Sequence, residues 1–166
     1  RDAEAWRQAR PGPDARLVAR CARIKAGVVS SDEHEHGARA GLNFGHTIGH
    51  ALEGDGRRGL LHGEAVGLGM RVACRLAERL GLAQEPQEER LAALLERLGL
   101  PILVALPLPM AALRRAWRRD KKSRNGVPNF VLTPTIGAVS VGHRVPEAWI
   151  LQALRVILEP RPSSRR

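Results

Sequence analysis

The chain has 166 residues, 43% hydrophobic and 27% charged, which suits one globular domain but is small for a protein binding both a dinucleotide and a second substrate. No apolar run approaches the length that crosses a bilayer, so a membrane-spanning helix is excluded. The formal net charge of +10 would suit nucleic acid or a phosphorylated ligand, yet the basic residues are scattered through nearly every helical segment and only three Trp and two Phe accompany them, so no nucleic-acid surface is expected.

The opening Arg1-Asp2-Ala3-Glu4-Ala5-Trp6 has neither an initiating Met nor a secretory pattern and reads as the middle of a domain. After the turn Pro11-Gly12-Pro13, Leu17, Cys21, Ile24 and Val28 recur at three- and four-residue steps, which predicts a helix from Asp14 to Val29 with Asp14 as its cap. Lys25 lies beside that apolar stripe. Lysine occurs only there and at Lys121 and Lys122, in a chain whose positive charge is otherwise arginine, so each lysine is a candidate for a role that needs a compact, titratable cation. Cys21 and Cys74 both sit in helical apolar patterns, too far apart to suggest a disulfide framework or a thiolate metal site; buried free thiols in a reducing cytoplasm are expected.

The polar run Ser30 to Gly37 predicts a connection, and a second helix is expected from near Asn43 to Glu53. Gly54 to Gly59 predicts a loop. Helical periodicity then returns from His62 to Leu80, and Gly67 and Gly69 within it predict close approach by another helix or a ligand, since glycine there costs about 1 kcal/mol against alanine. Pro86 is expected to open an amphipathic helix with Leu91, Leu94, Leu95 and Leu98 on one side and Gly99 at its end. A short helix follows Pro109, ending near Asp120. Strands at Asn129–Thr133 and Ala138–Val141, joined through Pro134-Thr135-Ile136-Gly137, predict a small hairpin near residues 128–142. Pro146 at a first helical position opens a closing helix carrying Trp149, Ile150, Leu154 and Ile157. The fold class is thus mostly α, with residues 1–159 forming one helical domain and 160–166 a disordered basic tail.

The chemistry concentrates in Gly45-His46-Thr47-Ile48-Gly49-His50-Ala51-Leu52-Glu53, followed by Leu61-His62-Gly63-Glu64. Residues four apart share a helix face, so His46 and His50 can aim at one volume, and a turn-back through the glycine loop could deliver His62 to it. Imidazole is a common ligand of catalytic zinc, and glycines at 45, 49 and 63 would clear space beside the rings. A lone histidine is more often a surface or hydrogen-bonded core residue. The His-Glu-x-x-His pattern of zinc hydrolases is absent, so spacing alone leaves both a metal site and a structural role open.

Asn43-Phe44-Gly45-His46-Thr47-Ile48-Gly49-His50-Ala51-Leu52-Glu53 with Leu61-His62-Gly63-Glu64-Ala65-Val66 resembles the metal-site motif pair of 3-dehydroquinate synthases. Arg23 to Val29, Asp32-Glu33, Arg39 and Asp120-Lys121-Lys122 resemble segments of the same family in the same order, so the resemblance spans residues 14 to 157. It implies that His46 and His62 bind zinc or cobalt and that His50 contacts substrate and serves in catalysis with Lys25. It further implies that Lys25, Arg39, Asn43, His50 and Lys121 bind the substrate, Lys121 being one of a pair with Lys122.

The implied reaction, a step of the shikimate pathway of aromatic amino acid biosynthesis, converts 3-deoxy-D-arabino-heptulosonate 7-phosphate to 3-dehydroquinate and phosphate. It proceeds by transient oxidation with NAD, phosphate elimination, re-reduction and aldol cyclisation. No strand with a glycine-rich phosphate cradle follows from the sequence, so the NAD-binding domain, which the resemblance places N-terminally, is expected to be a separate partner. A third zinc ligand, a glutamate upstream of Arg1, is likewise expected from outside, leaving the isolated chain inactive; the full enzyme would be a cytoplasmic homodimer. Open alternatives are a sibling sugar-phosphate cyclase of inosose or valiolone type, a metal-dependent alcohol dehydrogenase relative, and a noncatalytic basic binding module.

Overall fold

The computed structural model describes residues 15–33, 38–53, 59–104, 108, 110–119 and 128–158. In chain order these form helix α1 (Ala15–Ser31), a 3-10 turn (Ala38–Asn43), α2 (His46–Glu53), α3 (His62–Arg79), α4 (Glu88–Arg97) and α5 (Met110–Arg119). Strands β1 (Asn129–Thr135) and β2 (Ala138–Arg144), helix α6 (Glu147–Ala153) and a closing 3-10 turn (Leu154–Ile157) complete them. The mostly helical class with one hairpin agrees with the sequence. Asp14, the glycine loop as far as Arg58, the Asp120-Lys121-Lys122 segment, Asn125-Gly126 and the basic tail lie outside the described residues.

Helix α3 is the axis of the core. Its buried set runs round the helix rather than along one stripe, from Ala65, Val66 and Leu68 to Val72, Ala73, Leu76 and Ala77, because it is covered on several sides. Helix α2 lies against one side, β1 against another, and α4, α6 and the closing turn against the rest. Ile48 and Leu52 of α2, Phe130 and Leu132 of β1, Ile150 of α6, and Leu154 and Ile157 of the closing turn are all buried in the same cluster. Burying each such side chain contributes roughly 1.5–3 kcal/mol, so among the described residues α3 is the element on which the core is assembled.

Several boundaries differ from the sequence reading. The helix expected from Asn43 is broken: a 3-10 turn ends at Asn43, and α2 starts only at His46, because Gly45 takes a φ of 80°, outside the helical region. Helix α4 begins at Glu88, two residues after Pro86. No side chain of its own segment caps it; Glu78 Oε1 on α3 accepts the N–H groups of Gln87 and Glu88, both at 2.9 Å. Pro146 precedes α6 as its cap residue, and the helix tightens to a 3-10 turn from Leu154.

The hairpin extends past the expected limit, to Arg144. Its Ile136-Gly137 turn uses a glycine at φ 92°, and its register is interrupted between Phe130 and Leu132 and again between Leu132 and Thr135. Cys74 is buried as expected, but Cys21 is exposed: α1 has no buried residue, and Leu17, Val18 and Ile24 on it are 40%, 50% and 59% exposed. The periodicity of α1 correctly marks a helix with an apolar stripe, while among the described elements its main packing is onto the 3-10 turn.

Candidate functional site

Helix α2 crosses α3 with its backbone almost in contact. A Cβ built on Gly69 of α3 would lie 2.0 Å from the carbonyl oxygen of Gly45 and 2.9 Å from the amide nitrogen of Gly49. A Cβ on Gly45 would meet Val66 O and Met70 Cγ at 2.7 Å, and one on Gly49 would stand 3.0 Å from Val66 Cα. Gly45 and Gly49 therefore serve the helix crossing rather than clearing space beside the histidines, and Gly63 faces open space. Gly69 meets the expectation of close backbone approach, whereas Gly67 faces the Leu95 side chain of α4, 3.3 Å from a built Cβ. Between Gly45 and Gly49, Thr47 Oγ1 donates to the Asn129 carbonyl at 3.2 Å, tying α2 to β1 as well.

This crossing brings the three histidines together. The His46 and His50 ring centroids are 5.1 Å apart, His46 and His62 5.4 Å, and His50 and His62 6.0 Å. Two imidazoles sharing one tetrahedral zinc, with Zn–N of about 2.0–2.1 Å, have centroids roughly 5 Å apart. His62 reaches the cluster as the first residue of α3, whose start is braced by Glu64 Oε2 accepting the Leu61 N–H at 2.8 Å. His46 is half-buried, and His50 and His62 are exposed.

Hydrogen bonding fixes the tautomer of two of the rings. His46 Nδ1 lies 3.2 Å from the Phe44 carbonyl and His62 Nδ1 lies 3.1 Å from Glu53 Oε2. Both partners accept, so each Nδ1 carries a proton, and in the neutral ring Nε2 is the nitrogen left with its lone pair. Burial holds the His46 pKa below its ordinary 6.5, against the opposing pull of the Phe44 carbonyl, with the neighbouring His50 and His62 adding to the lowering. A neutral imidazole with Nε2 free is the form that binds a metal. One carboxylate joins the cluster: ligand atoms of His50, Glu53 and His62 all lie within 4.8 Å of one another. The nitrogen and carboxylate donors present thus suit zinc or cobalt in kind and spacing.

Glu53 was not singled out by the sequence reading, although the signal was present. It stands three residues after His50 and seven after His46, on the same helix face. The other expected site residues are placed less closely together. Arg39 is half-buried in the 3-10 turn; its backbone N–H donates to Asp32 Oδ2 at 3.0 Å and its Nη1 to the Glu33 carbonyl at 2.6 Å. Asn43 ends the same turn, three residues before His46. Lys25 is exposed on α1, and Lys121 lies outside the described residues.

A second polar cluster lies on the far side of α3. Arg71 and Glu88 form a buried pair, Nη2 to Oε1 at 2.6 Å, and Arg75 meets Glu88 Oε2 at 3.0 Å. Arg71 also donates to the Ile102 carbonyl. This cluster joins α3, α4 and the segment after α4, away from the histidines.

Residues 2–123 match the family model described as 3-dehydroquinate synthase C-terminal. The chain is 41% identical over 145 residues to the 3-dehydroquinate synthase of a Synechococcus species, covering 87% of this chain and 39% of that protein. It is 43% identical over 150 residues to the synthase of Acidithiobacillus ferrooxidans, covering 89% and 41% respectively. With the synthase of Geobacter metallireducens the identity is 49% over 128 residues, 76% of this chain and 35% of that protein. The chain therefore spans about two fifths of the length of these relatives.

Among solved structures, it is similar to a 2-epi-5-epi-valiolone synthase from Streptomyces hygroscopicus subsp. jinggangensis with NAD+ and Zn2+ bound. The TM-score is 0.68 at 27% identity, over 88% of this chain and 40% of that one. It is also similar to a 2-deoxy-scyllo-inosose synthase complexed with carbaglucose-6-phosphate, NAD+ and Co2+, with a TM-score of 0.68 at 26% identity, over 81% and 40%. The motif pair, the converging imidazoles and these likenesses agree, and the chain belongs to the 3-dehydroquinate synthase C-terminal family.

Proposed function

We propose that this chain is the metal- and substrate-binding part of a 3-dehydroquinate synthase that turns 3-deoxy-D-arabino-heptulosonate 7-phosphate into 3-dehydroquinate and phosphate. The observation that carries the reading is the meeting of His46, His50 and His62 with two of the three Nε2 atoms left free for a cation. His46 and His62 would hold zinc or cobalt, with a third ligand and most of the NAD contacts supplied by the partner domain. The full enzyme would act as a homodimer in the cytoplasm. When bound, the metal supplies Lewis acidity toward substrate hydroxyls and NAD a transient, reversible oxidation.

The chain's own residues would do the rest. Burial favours the neutral ring of His46, the form whose Nε2 can take a metal without first losing a proton. His50 projects from the same face, exposed, where its ring can hold the substrate phosphate or pass a proton to it. Arg39 has its guanidinium oriented by the Glu33 carbonyl, and its further N–H groups suit a carboxylate. Asn43 sits between Arg39 and His46 and offers an amide to the hydroxyls. Lys25 and Lys121 would add point charges to the anionic ends. Holding one flexible substrate at several points favours intramolecular ring closure by proximity.

Mixing or fusing the chain with a cognate NAD-binding domain is expected to restore phosphate release from the heptulosonate phosphate, and His62→Ala to abolish it. A reconstituted protein that binds no zinc sinks the reading. The solved neighbours favour one second reading, a sibling cyclase of valiolone or inosose type; release of phosphate from the substrate of such a sibling but not from the heptulosonate would select it. Identity of 41–49% to the synthases against 26–27% to the siblings supports the first reading.

A further inference from the structure

We propose that Glu53 is a positioning residue of the metal centre: its carboxylate takes the Nδ1 proton of His62 and so fixes that ring with Nε2 turned to the cation. The inference rests on the metal reading above and assigns a role to a residue of this chain outside the proposed ligand set. Glu53 is the last residue of α2 and His62 the first of α3, so the two helix ends that frame the site are joined by this contact, 3.1 Å from Nδ1 to Oε2.

The site treats its two proposed ligands alike. His46 has a backbone carbonyl at Nδ1 and His62 has a carboxylate there, and neither acceptor leaves a choice of tautomer. An acceptor at the second nitrogen orients a ligating imidazole and raises its basicity, and losing it typically weakens metal binding 10–100-fold. His62 needs such an anchor more than His46 does. Its side chain is 55% exposed and that of Glu53 41%, so packing does not hold the ring, and a pair this open adds little to folding stability.

The proximity of His50, Glu53 and His62 allows a different arrangement, with Glu53 itself on the metal. The observed contact argues against it. An oxygen bonded to Nδ1 sits on the edge of the ring opposite a metal at Nε2, and it cannot serve both.

The test uses the chain joined to its cognate NAD-binding domain, unaltered and as the Glu53→Gln, Glu53→Ala and His62→Ala variants. Zinc affinity is read by competition with a chromophoric chelator, ring tautomers by 15N–1H correlation in the zinc-free protein, and ligand number by the visible spectrum of the cobalt form. Glu53→Ala is expected to weaken zinc binding about 10–100-fold and to shift His62 from Nδ1–H toward Nε2–H, with little change in melting temperature. Glu53→Gln, whose amide oxygen still accepts the proton, is expected to keep the tautomer and most of the affinity.

Unchanged affinity and tautomer in Glu53→Ala would overturn the proposal. So would equal losses in both Glu53 variants together with a cobalt spectrum that has lost a ligand, which would make Glu53 a direct ligand. Failure of the metal reading looks different: the protein reconstituted with the unaltered chain binds no zinc, or its His62→Ala form binds it undiminished, while the zinc-free tautomer still reports on Glu53.

Discussion

Burial at His46 outweighs the two backbone carbonyls that favour its protonated form, so the unfolded chain takes up a proton there before the folded one does. Folding stability from this group is complete above pH 6.5 and is lost as the pH falls from 6.5 through the lower folded value. Urea midpoints measured without metal should therefore drop as the pH falls below 6.5, and His46→Gln should flatten that part of the profile. The thiols offer a second contrast at the same scale. Burial, with Glu78 and Glu88 nearby, pushes the Cys74 thiol up to about 12, while Cys21 is exposed. A thiol reagent at pH 8 should modify Cys21 rapidly and Cys74 only in denaturant; comparable rates in the native protein would contradict the burial of Cys74. The sequence alone put both cysteines in the interior, because the apolar period that contains Cys21 marks a face without saying what covers it.

At the scale of elements, the α2–α3 crossing decides whether a site exists at all. Adding one methyl at Gly69 places it 2.0 Å from the Gly45 carbonyl, a backbone atom that can yield only if the helices part. Gly69→Ala should cost about 3 kcal/mol or more in urea unfolding and weaken zinc binding with it. Gly63→Ala, where the new methyl meets nothing, should be neutral or stabilise by ~0.5 kcal/mol. Equal effects of the two changes would mean that the crossing is not as close as described.

Most of the elements could be read from periodicity and from Pro and Gly punctuation. The hairpin followed from its turn, and α3 and α4 were placed to within two residues at each end. The break between the 3-10 turn and α2 was not legible, because Asn43 and Phe44 continue a helical pattern and only the contact of Gly45 with α3 forces the chain out of it. The convergence of the histidines was readable from spacing and resemblance. For Glu53 the spacing showed only that it shares the histidine face; an exposed glutamate at a helix end looks like any solvated charge until His62 is folded onto it.

For the molecule as a whole, the ion pair on the far side of α3 has consequences that a count of charges hides. Arg71 and Glu88 are 7% and 3% exposed, in a chain whose other arginines suggest only a basic surface. Arg71 joins α3 to α4 through Glu88 and to the following segment through the Ile102 carbonyl. Glu88 keeps Arg75 if Arg71 is lost, but removing Glu88 strands the buried Arg71 charge, so Glu88→Leu should destabilise by about 3–5 kcal/mol in urea unfolding, a much larger effect than the loss of an exposed ion pair such as Arg114–Glu147. A similar cost for Arg114→Leu would refute the distinction. Sequence reasoning had no access to this pair, because the two residues are 17 apart and each sits among other charges.

The backbone seam between Gly45, Gly49 and Gly69 also bears on how a cation would be received. Because the seam is made of main-chain atoms, the imidazoles of α2 and the ring that opens α3 are gathered when the chain folds, before any ion arrives. Metal uptake then has little disorder to remove, and calorimetry of zinc binding should show no heat-capacity signature of coupled folding.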